Sequence, residues 1–306
     1  VGAAEAGAGG ADAAGASGEG AQANQPNVPM PDGGPGLGSG PPCNGDPRLC
    51  GRRFSELSFL GTHSSMATSD AWPTQTQGRT LNEQFLSGGV RALELELHDD
   101  HGALAVCDGD CSVASSSLSS VLREVSTFIT GNPNDVLTLV LRSNVAPEAL
   151  VNAFDDQALI PLAHQQRSGK PWPTLQQMID DNQRLVVFLG PLPSDADAGD
   201  AGATPSELPA WLHPLSDWAW ETAASEGASC AIANGNAKSS LAILNHYLPG
   251  EGKADDALLS AHAPEVIAAR LNRCADDRGH VPNFVFVNFA EVGDPNGGVQ
   301  IANGLR

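Results

Sequence analysis

Phe59-Leu60-Gly61-Thr62-His63-Ser64-Ser65-Met66 sets a histidine in a polar turn directly after a short apolar run, Leu57–Leu60. A second apolar run follows at Val90–Leu97 and carries Glu94 and Glu96 inside it. In a strand, residues two apart face the same side, so the two carboxylates project together. A solvated strand face would account for them, but Val90, Leu93, Leu95 and Leu97 mark the run as buried. A histidine at the end of one strand and a carboxylate pair on the next is the arrangement of a site.

Strand-like runs recur at 54–60, 90–97, 103–107, 136–141, 185–189, 241–245 and 284–289. Leu118, Val121, Leu122, Val125, Phe128 and Ile129 fall at the spacing of an amphipathic helix, which Gly131-Asn132-Pro133 stops. Pro264–Cys274 reads as another helix, with proline in its first turn. Alternating strands and helices predict an α/β fold with a parallel sheet. Seven strand-like runs in a chain of this length fit a single-domain (β/α) barrel of the TIM type better than an open sheet. Chemistry in such barrels sits at the carboxyl ends of the strands, and His63, Glu96, His98, Asp108 and Arg142 each lie at or just past the end of a run. The Pro, Ser, Asp, Ala and Gly of residues 191–209 predict an acidic surface loop.

Residues 1–42 hold almost no large apolar side chains and end in Pro41-Pro42. Such a composition cannot offset its ordering entropy, so this stretch is expected to be a disordered tether ahead of a folded domain at 43–306, suited to spacing it from a membrane anchor. A hydrophobic content of 41% allows a full core. The formal net charge of −20 repels nucleic-acid phosphates and anionic membrane faces alike, and no run of Lys or Arg argues otherwise, so nucleic acid is discounted as a partner. No stretch approaches the ~18 consecutive apolar residues of a transmembrane helix, and a monomer is expected. The six cysteines fall as two close pairs, Cys43/Cys50 and Cys107/Cys111, and one distant pair, Cys230/Cys274. None has the double CxxC spacing of a zinc site. Sequence order leaves about 15 connectivities open. Close spacing favours the first two pairs, and the third is what remains. Three disulfides would place the protein in an oxidising compartment: secreted, at the cell surface or periplasmic.

A series of motifs in order carries a family resemblance: Cys43-Asn44-Gly45 with Cys50, Gly61-Thr62-His63-Ser64-Ser65-Met66, Gly89-Val90-Arg91-Ala92-Leu93, Val106-Cys107-Asp108-Gly109 with Cys111, Asn132-Pro133-Asn134-Asp135-Val136-Leu137-Thr138-Leu139, Trp172-Pro173-Thr174-Leu175, Leu244-Asn245-His246 and Pro282-Asn283-Phe284. From about Cys43 to Arg306 the chain resembles the X-domain superfamily of phosphatidylinositol-specific phospholipases C, in the branch of secreted bacterial and fungal PLC-like phosphodiesterases. The resemblance implies an irregular TIM barrel that cleaves a phosphodiester on the glycerol side. One histidine takes the proton from the inositol 2-hydroxyl, which attacks phosphorus, and a second protonates the leaving alkoxide. The first histidine matches His63, the general base.

The departures from that pattern decide what to expect of the site. Where the family usually has its second histidine, this chain has Asp108, a poor acid at neutral pH unless burial or a like charge raises its pKa. Glu94 and Glu96 are candidates for that like charge, and His98 or His101 for the missing proton donor. Glu94 and Glu96 also occupy positions of two acidic ligands in the calcium-dependent branch, and hard oxygens suit Ca²⁺. That branch, however, has asparagine at Ser64 and glutamate at Arg142, whereas the metal-independent branch has a basic residue like Arg142 but an arginine at Glu96. Arg142 could hold the substrate phosphate or neutralise Glu94 or Glu96. Asn288 stands where relatives often have an aspartate that orients the first histidine, and is counted with Arg142 as substrate-binding.

The expected function is an exported phosphoric diester hydrolase acting on a phosphoinositide or related phosphodiester. The alternative is a catalytically impaired PLC-like barrel serving as a binding or surface module. A glycerophosphodiester- or sphingomyelinase-D-like metal enzyme would still want two histidines. Because residues 1–42 offer nothing to bury, a chain beginning at Pro42 is expected to melt within about 2 °C of the full chain by scanning calorimetry; a larger drop would mean that the tail packs on the barrel.

Overall fold

Alternate residues of the buried strands belong to two different cores, and that alternation builds the architecture. The computed structural model describes residues 41–72, 75–192, 208–225, 229–247 and 256–306. The tether expected at 1–42 and the acidic loop expected at 191–209 lie almost entirely outside these residues. Strands β1 (Phe59–Thr62), β2 (Ala92–Asp100), β3 (Ala103–Val106), β4 (Ser116–Ser117), β5 (Leu137–Ser143), β6 (Leu185–Gly190), β7 (Leu212–Pro214), β8 (Ala219–Thr222), β9 (Ile232–Gly235), β10 (Leu241–Asn245) and β11 (Phe284–Val287) form one sheet. Its path runs β7-β6-β5-β2-β1-β11-β10-β8-β9. Every pairing from β7 to β8 is parallel. Read around the sheet, β1, β2, β5, β6, β7, β8, β10 and β11 follow in chain order, the order of a TIM barrel.

The barrel is irregular at one seam. β7 and β8 stand at opposite ends of the parallel path, yet only the four-residue helix Leu215–Trp218 separates them in sequence. β8 turns its other edge to β9, its antiparallel partner, instead of to β7. The chain therefore bends the sheet round on itself without a hydrogen-bonded closure there.

The outward residues of the strands pack under helices. Leu93, Leu95, Leu97, Leu139 and Leu141 share a core with Leu118, Val121, Leu122, Val125 and Ile129 of the helix Leu118–Gly131. That helix starts where the Ser117 hydroxyl accepts the Ser120 N–H, an N-cap contact worth about 1 kcal/mol. The helix Pro264–Arg278 begins on proline and ends at Gly279 in the left-handed region. The inward residues Phe59, Ala92, Val140, Phe188, Ile243, Phe284 and Phe286 fill the barrel. Gly61 is required for that filling: a Cβ there would lie 2.7 Å from the Phe286 ring. At the amino ends of the strands the barrel is plugged by Phe54 and Trp172, whose ring centroids are 5.0 Å apart.

Three readings of the sequence differ from this architecture. The strand expected at 54–60 begins only at Phe59, because Phe54–Glu56 is a 3-10 turn held by the Glu56 carboxylate on the Arg53 N–H. Residues 103–106 form an antiparallel hairpin arm on β2 and not a barrel strand. β7 and β8 escape notice because they are short and interrupted by His213, Pro214 and Glu221. The cysteines are joined 43–50, 107–111 and 230–274, with Cα–Cα distances of 5.1, 5.1 and 5.3 Å. The third, spanning a sequence separation of 44, ties the strand region before β9 to the helix Pro264–Arg278 and contributes roughly 4 kcal/mol by chain entropy.

Three of the four buried histidines set an acid limit on this fold. His246 and His262 are fully buried and His213 is 3% exposed. Burial lowers their pKa values to about 3, about 4 and about 4 respectively, with Arg270 adding to the effect on His246. The unfolded chain takes up these protons below about pH 6.5, and the folded chain refuses them until about pH 4, so stability falls as pH drops through that window. In His262→Gln, proton uptake on unfolding near pH 5, read from the pH dependence of urea unfolding, is expected to fall by about one proton, a slope change of about 1.4 kcal/mol per pH unit. An unchanged slope would show that His262 does not contribute.

Candidate active site

At the carboxyl ends of the strands the inward positions change from apolar to polar. Above Gly61, Ala92, Val140, Phe188, Ala219 and Phe286 come His63, Glu94, Arg142, Gly190, Glu221 and Asn288, each two residues further along its strand or just past it. Side chains two apart share a face, so this polar layer is a direct consequence of the strand period.

Arg142 spans the barrel interior in this layer. Its Nη1 and Nη2 donate to Glu221 Oε1 and Oε2 at 2.9 and 2.5 Å, and its Nε donates to Glu94 Oε1 at 3.3 Å. All three side chains are buried. Gly190 leaves the room for this: a Cβ there would stand 3.0 Å from Arg142 Nη1. Burial works against the guanidinium charge, but the Glu221 and Glu94 carboxylates outweigh it and raise the pKa above the ordinary value. Of the two roles open to Arg142 in the sequence, the side chain engages Glu94, and its two terminal nitrogens go to Glu221, a partner the sequence reading did not name. Glu94 keeps one oxygen, Oε2, buried with no hydrogen-bond partner among the described residues.

His63 opens the second half of the site. Its Nδ1 is 3.0 Å from Asn288 Oδ1, its ring stacks on Tyr247 at 3.9 Å between centroids, and Ser64 Oγ lies 3.5 Å from its Nε2. With Nδ1–H donating to the amide oxygen, Nε2 carries the lone pair. Asn288 thus contacts His63.

Asp108, half-buried, stands in the turn framed by the Cys107–Cys111 bridge. Burial raises its pKa, the Glu96 carboxylate raises it further, and His63 pulls the other way. Ser64, Trp72, Glu94, Glu96, Cys107 and Asp108 line one small cleft. Glu96 Oε1 is held by the Gly109 N–H at 3.0 Å and by His98 Nε2 at 2.9 Å. His98 is therefore tied to Glu96, and His101, almost fully exposed, pairs with Asp100 at the hairpin tip. Neither lines the cleft among the described residues.

Glu221, Tyr247 and Gln77 were not singled out from sequence. Tyr247 is the chain's one tyrosine and follows Leu244-Asn245-His246, a signal within reach. Glu221 sits in a strand too short to recognise.

The PI-PLC X 1 family model matches residues 49–303. A PI-PLC X domain-containing protein 1 of Arthroderma benhamiae is 27% identical over 288 residues, covering 86% of this chain and 90% of that protein. A PI-PLC X domain-containing protein of Arabidopsis thaliana is 27% identical over 279 residues, with 84% of this chain matching 63% of the plant protein, so the chain spans less than two thirds of that relative. A solved phosphatidylinositol-specific phospholipase C of Staphylococcus aureus has the same fold at a TM-score of 0.53 and 13% identity, over 82% of this chain and 93% of that one.

The buried ion pair generates a stability test. Glu221→Ala leaves Arg142 paired with Glu94 and is expected to cost about 3–5 kcal/mol in urea unfolding, whereas the triple variant Arg142→Met/Glu221→Leu/Glu94→Leu, which removes every charge of the cluster, should recover most of that loss. Equal instability of the single and triple variants would show that packing, not charge, is at stake.

Proposed function

The chain belongs to the PI-PLC X domain family, and from that premise we propose that it is an exported phosphoric diester hydrolase acting on a phosphoinositide or related phosphodiester, with His63 as general base and Asp108 as proton donor. The observation that carries the reading is the pairing of His63 Nδ1 with Asn288 Oδ1 at 3.0 Å, beside a carboxyl whose pKa is raised. Asn288 holds Nδ1 as the donor, so Nε2 accepts the proton of the attacking hydroxyl. The substrate oxygen attacks phosphorus, the phosphorus–alkoxide bond breaks, and the protonated Asp108 carboxyl delivers its proton to the leaving oxygen. A second proton transfer in the reverse sense, with water entering, resolves a cyclic phosphate. General acid and base groups of this kind contribute typically 10²–10⁴-fold. Arg142, the residue expected to hold the phosphate, is engaged by Glu221 and Glu94, one guanidinium against two carboxyl groups, so this reading gives it a supporting role under the site and not the phosphate. Export is supported by the three disulfides and by a 23%-identical Arthroderma benhamiae relative named an uncharacterized secreted protein. No helix of the described residues is long and apolar enough to cross a membrane.

Calcium fits the donor chemistry of the same cleft. Glu94 and Glu96 are hard oxygen ligands lining one space, and Glu94 Oε2 is a buried carboxylate oxygen without a partner among the described residues. Bound there, the ion would supply electrostatic stabilisation of an anionic phosphate. The second reading, an impaired barrel used as a binding module, draws support from Asp108 in place of the family's second histidine and from the commitment of both terminal nitrogens of Arg142 to Glu221.

The pH profile tests the assignment. Asp108 donates only while protonated, so turnover should fall as pH rises through its raised pKa, which places the optimum on the acidic side. Asp108→His is expected to move the optimum toward neutrality and to raise phosphatidylinositol cleavage at pH 7 by about 10-fold or more, and His63→Ala to abolish it. A chelator of Ca²⁺ silences the native enzyme only if the ion belongs to the site. If neither the native chain nor Asp108→His cleaves any phosphodiester, the binding-module reading replaces this one.

A further inference from the structure

Two residues of this molecule hold non-glycine backbone in the left-handed region directly after groups of the site: Ser64, with φ of 40°, follows His63, and Phe289, with φ of 46°, follows Asn288. A positive φ at a bulky residue such as phenylalanine is an outlier, and such strain persists only where the surroundings over-determine it. Both turns are held by one dipeptide, Thr76-Gln77. The Thr76 hydroxyl donates to Ser64 O at 2.9 Å, and Thr76 O accepts the Phe289 N–H at 2.6 Å. Gln77 is fully buried. Its Nε2 donates to His63 O and to Val287 O, both at 3.0 Å, and its Oε1 accepts the Ala290 N–H at 3.2 Å. One primary amide thus uses both N–H groups and its oxygen on the last residues of β1 and β11 and the turns beyond them. The dipeptide is itself anchored, since the N–H groups of Thr76 and Gln77 both reach Ala67 O at 3.0 Å.

We infer that Gln77, with Thr76, is the positioning residue that sets the His63–Asn288 contact and with it the tautomer of His63. The inference rests on the reading of His63 as the base. It acts through geometry: Gln77 touches neither imidazole nor cleft, but it fixes the relative height of the two backbone segments from which the ring and the amide oxygen project. Only an amide serves. Glutamate at 77 would set a carboxylate against two carbonyl oxygens, and methionine would leave His63 O and the Ala290 N–H without these partners.

The test reads the ring, not a substrate. In the full chain with ¹⁵N-labelled histidine, His63→Gln identifies the His63 signals. In the neutral native ring, Nδ1 and Nε2 should appear as separate pyrrole-like and pyridine-like signals of a single tautomer. Gln77→Met, close in volume, is expected to draw the two signals toward each other as the tautomers exchange. Asn288→Leu, which removes the acceptor outright, marks the full size of that movement. Thr76→Val removes only one hydroxyl contact and should move the signals less, in the same direction. Should Gln77→Met fail to fold, Thr76→Val decides by the same signals. Ring signals that coincide with the native ones in whichever of these variants fold overturn the proposal. Where turnover is measurable, kcat of Gln77→Met should fall on the order of 10-fold with KM little changed. A tautomer that responds in a chain that cleaves nothing would keep the positioning role and remove the base; activity lost in His63→Ala with a tautomer indifferent to Gln77 would do the reverse.

Discussion

A guanidinium taken out of water must find compensating partners, and the pairing of Arg142 with Glu221 and Glu94 is the constraint around which this barrel's upper half is arranged. The pair needs a missing side chain at Gly190 to leave room, a carboxylate from β8 and another from β2. It therefore fixes the relative rotation of strands that are far apart in sequence. It also divides the interior: below it the barrel is filled by rings and aliphatic chains, and above it polar groups face a cleft that Trp72 and Val106 also line. The cleft with Asp108 and Glu96 sits on that polar layer, and the raised pKa of Asp108 follows first from its burial and then from the Glu96 carboxylate beside it.

How much of this could be read from the sequence depended on how local the signal was. Val90–Leu97 and the helix at Leu118–Gly131 announce themselves by period, because each buries a whole face against one neighbour. The expected strand at 54–60 failed for the opposite reason. Phe54 is apolar because it closes the end of the barrel beside Trp172, a role that any backbone shape can deliver. β7 and β8 were invisible because the polar layer falls within them: with three and four residues, there is no room for an apolar alternation to show before His213 or Glu221 interrupts it.

The site divides along the same line. Groups at the ends of recognisable strands, His63, Glu94, Glu96, Arg142 and Asn288, could be listed in advance, and so could Asp108 from the cysteine motif around it. Who contacts whom could not. Arg142 chooses Glu221 over Glu96 because inward positions on β5 and β8 face each other across the interior, whereas Glu96 is held by the Gly109 N–H and His98. Tyr247 over the His63 ring and Gln77 beneath its turn are likewise contacts between segments whose separation in the chain hides their proximity.

The unbonded seam between β7 and β8 gives the ion pair a mechanical meaning. Arg142 stands on the β5-β6-β7 side and Glu221 on the β8-β10-β11 side. Across that line no ladder of amides joins the two strands, so a side-chain fork spanning the lumen adds to the helix Leu215–Trp218 and the packed core in holding the two sides together. Unlike a backbone ladder, which yields one rung at a time, a fork of this kind is either engaged or released. The fork thus ties one wall of the lumen to the other at the boundary that the described backbone leaves open, and it does so with charge where the rest of the sheet uses amides.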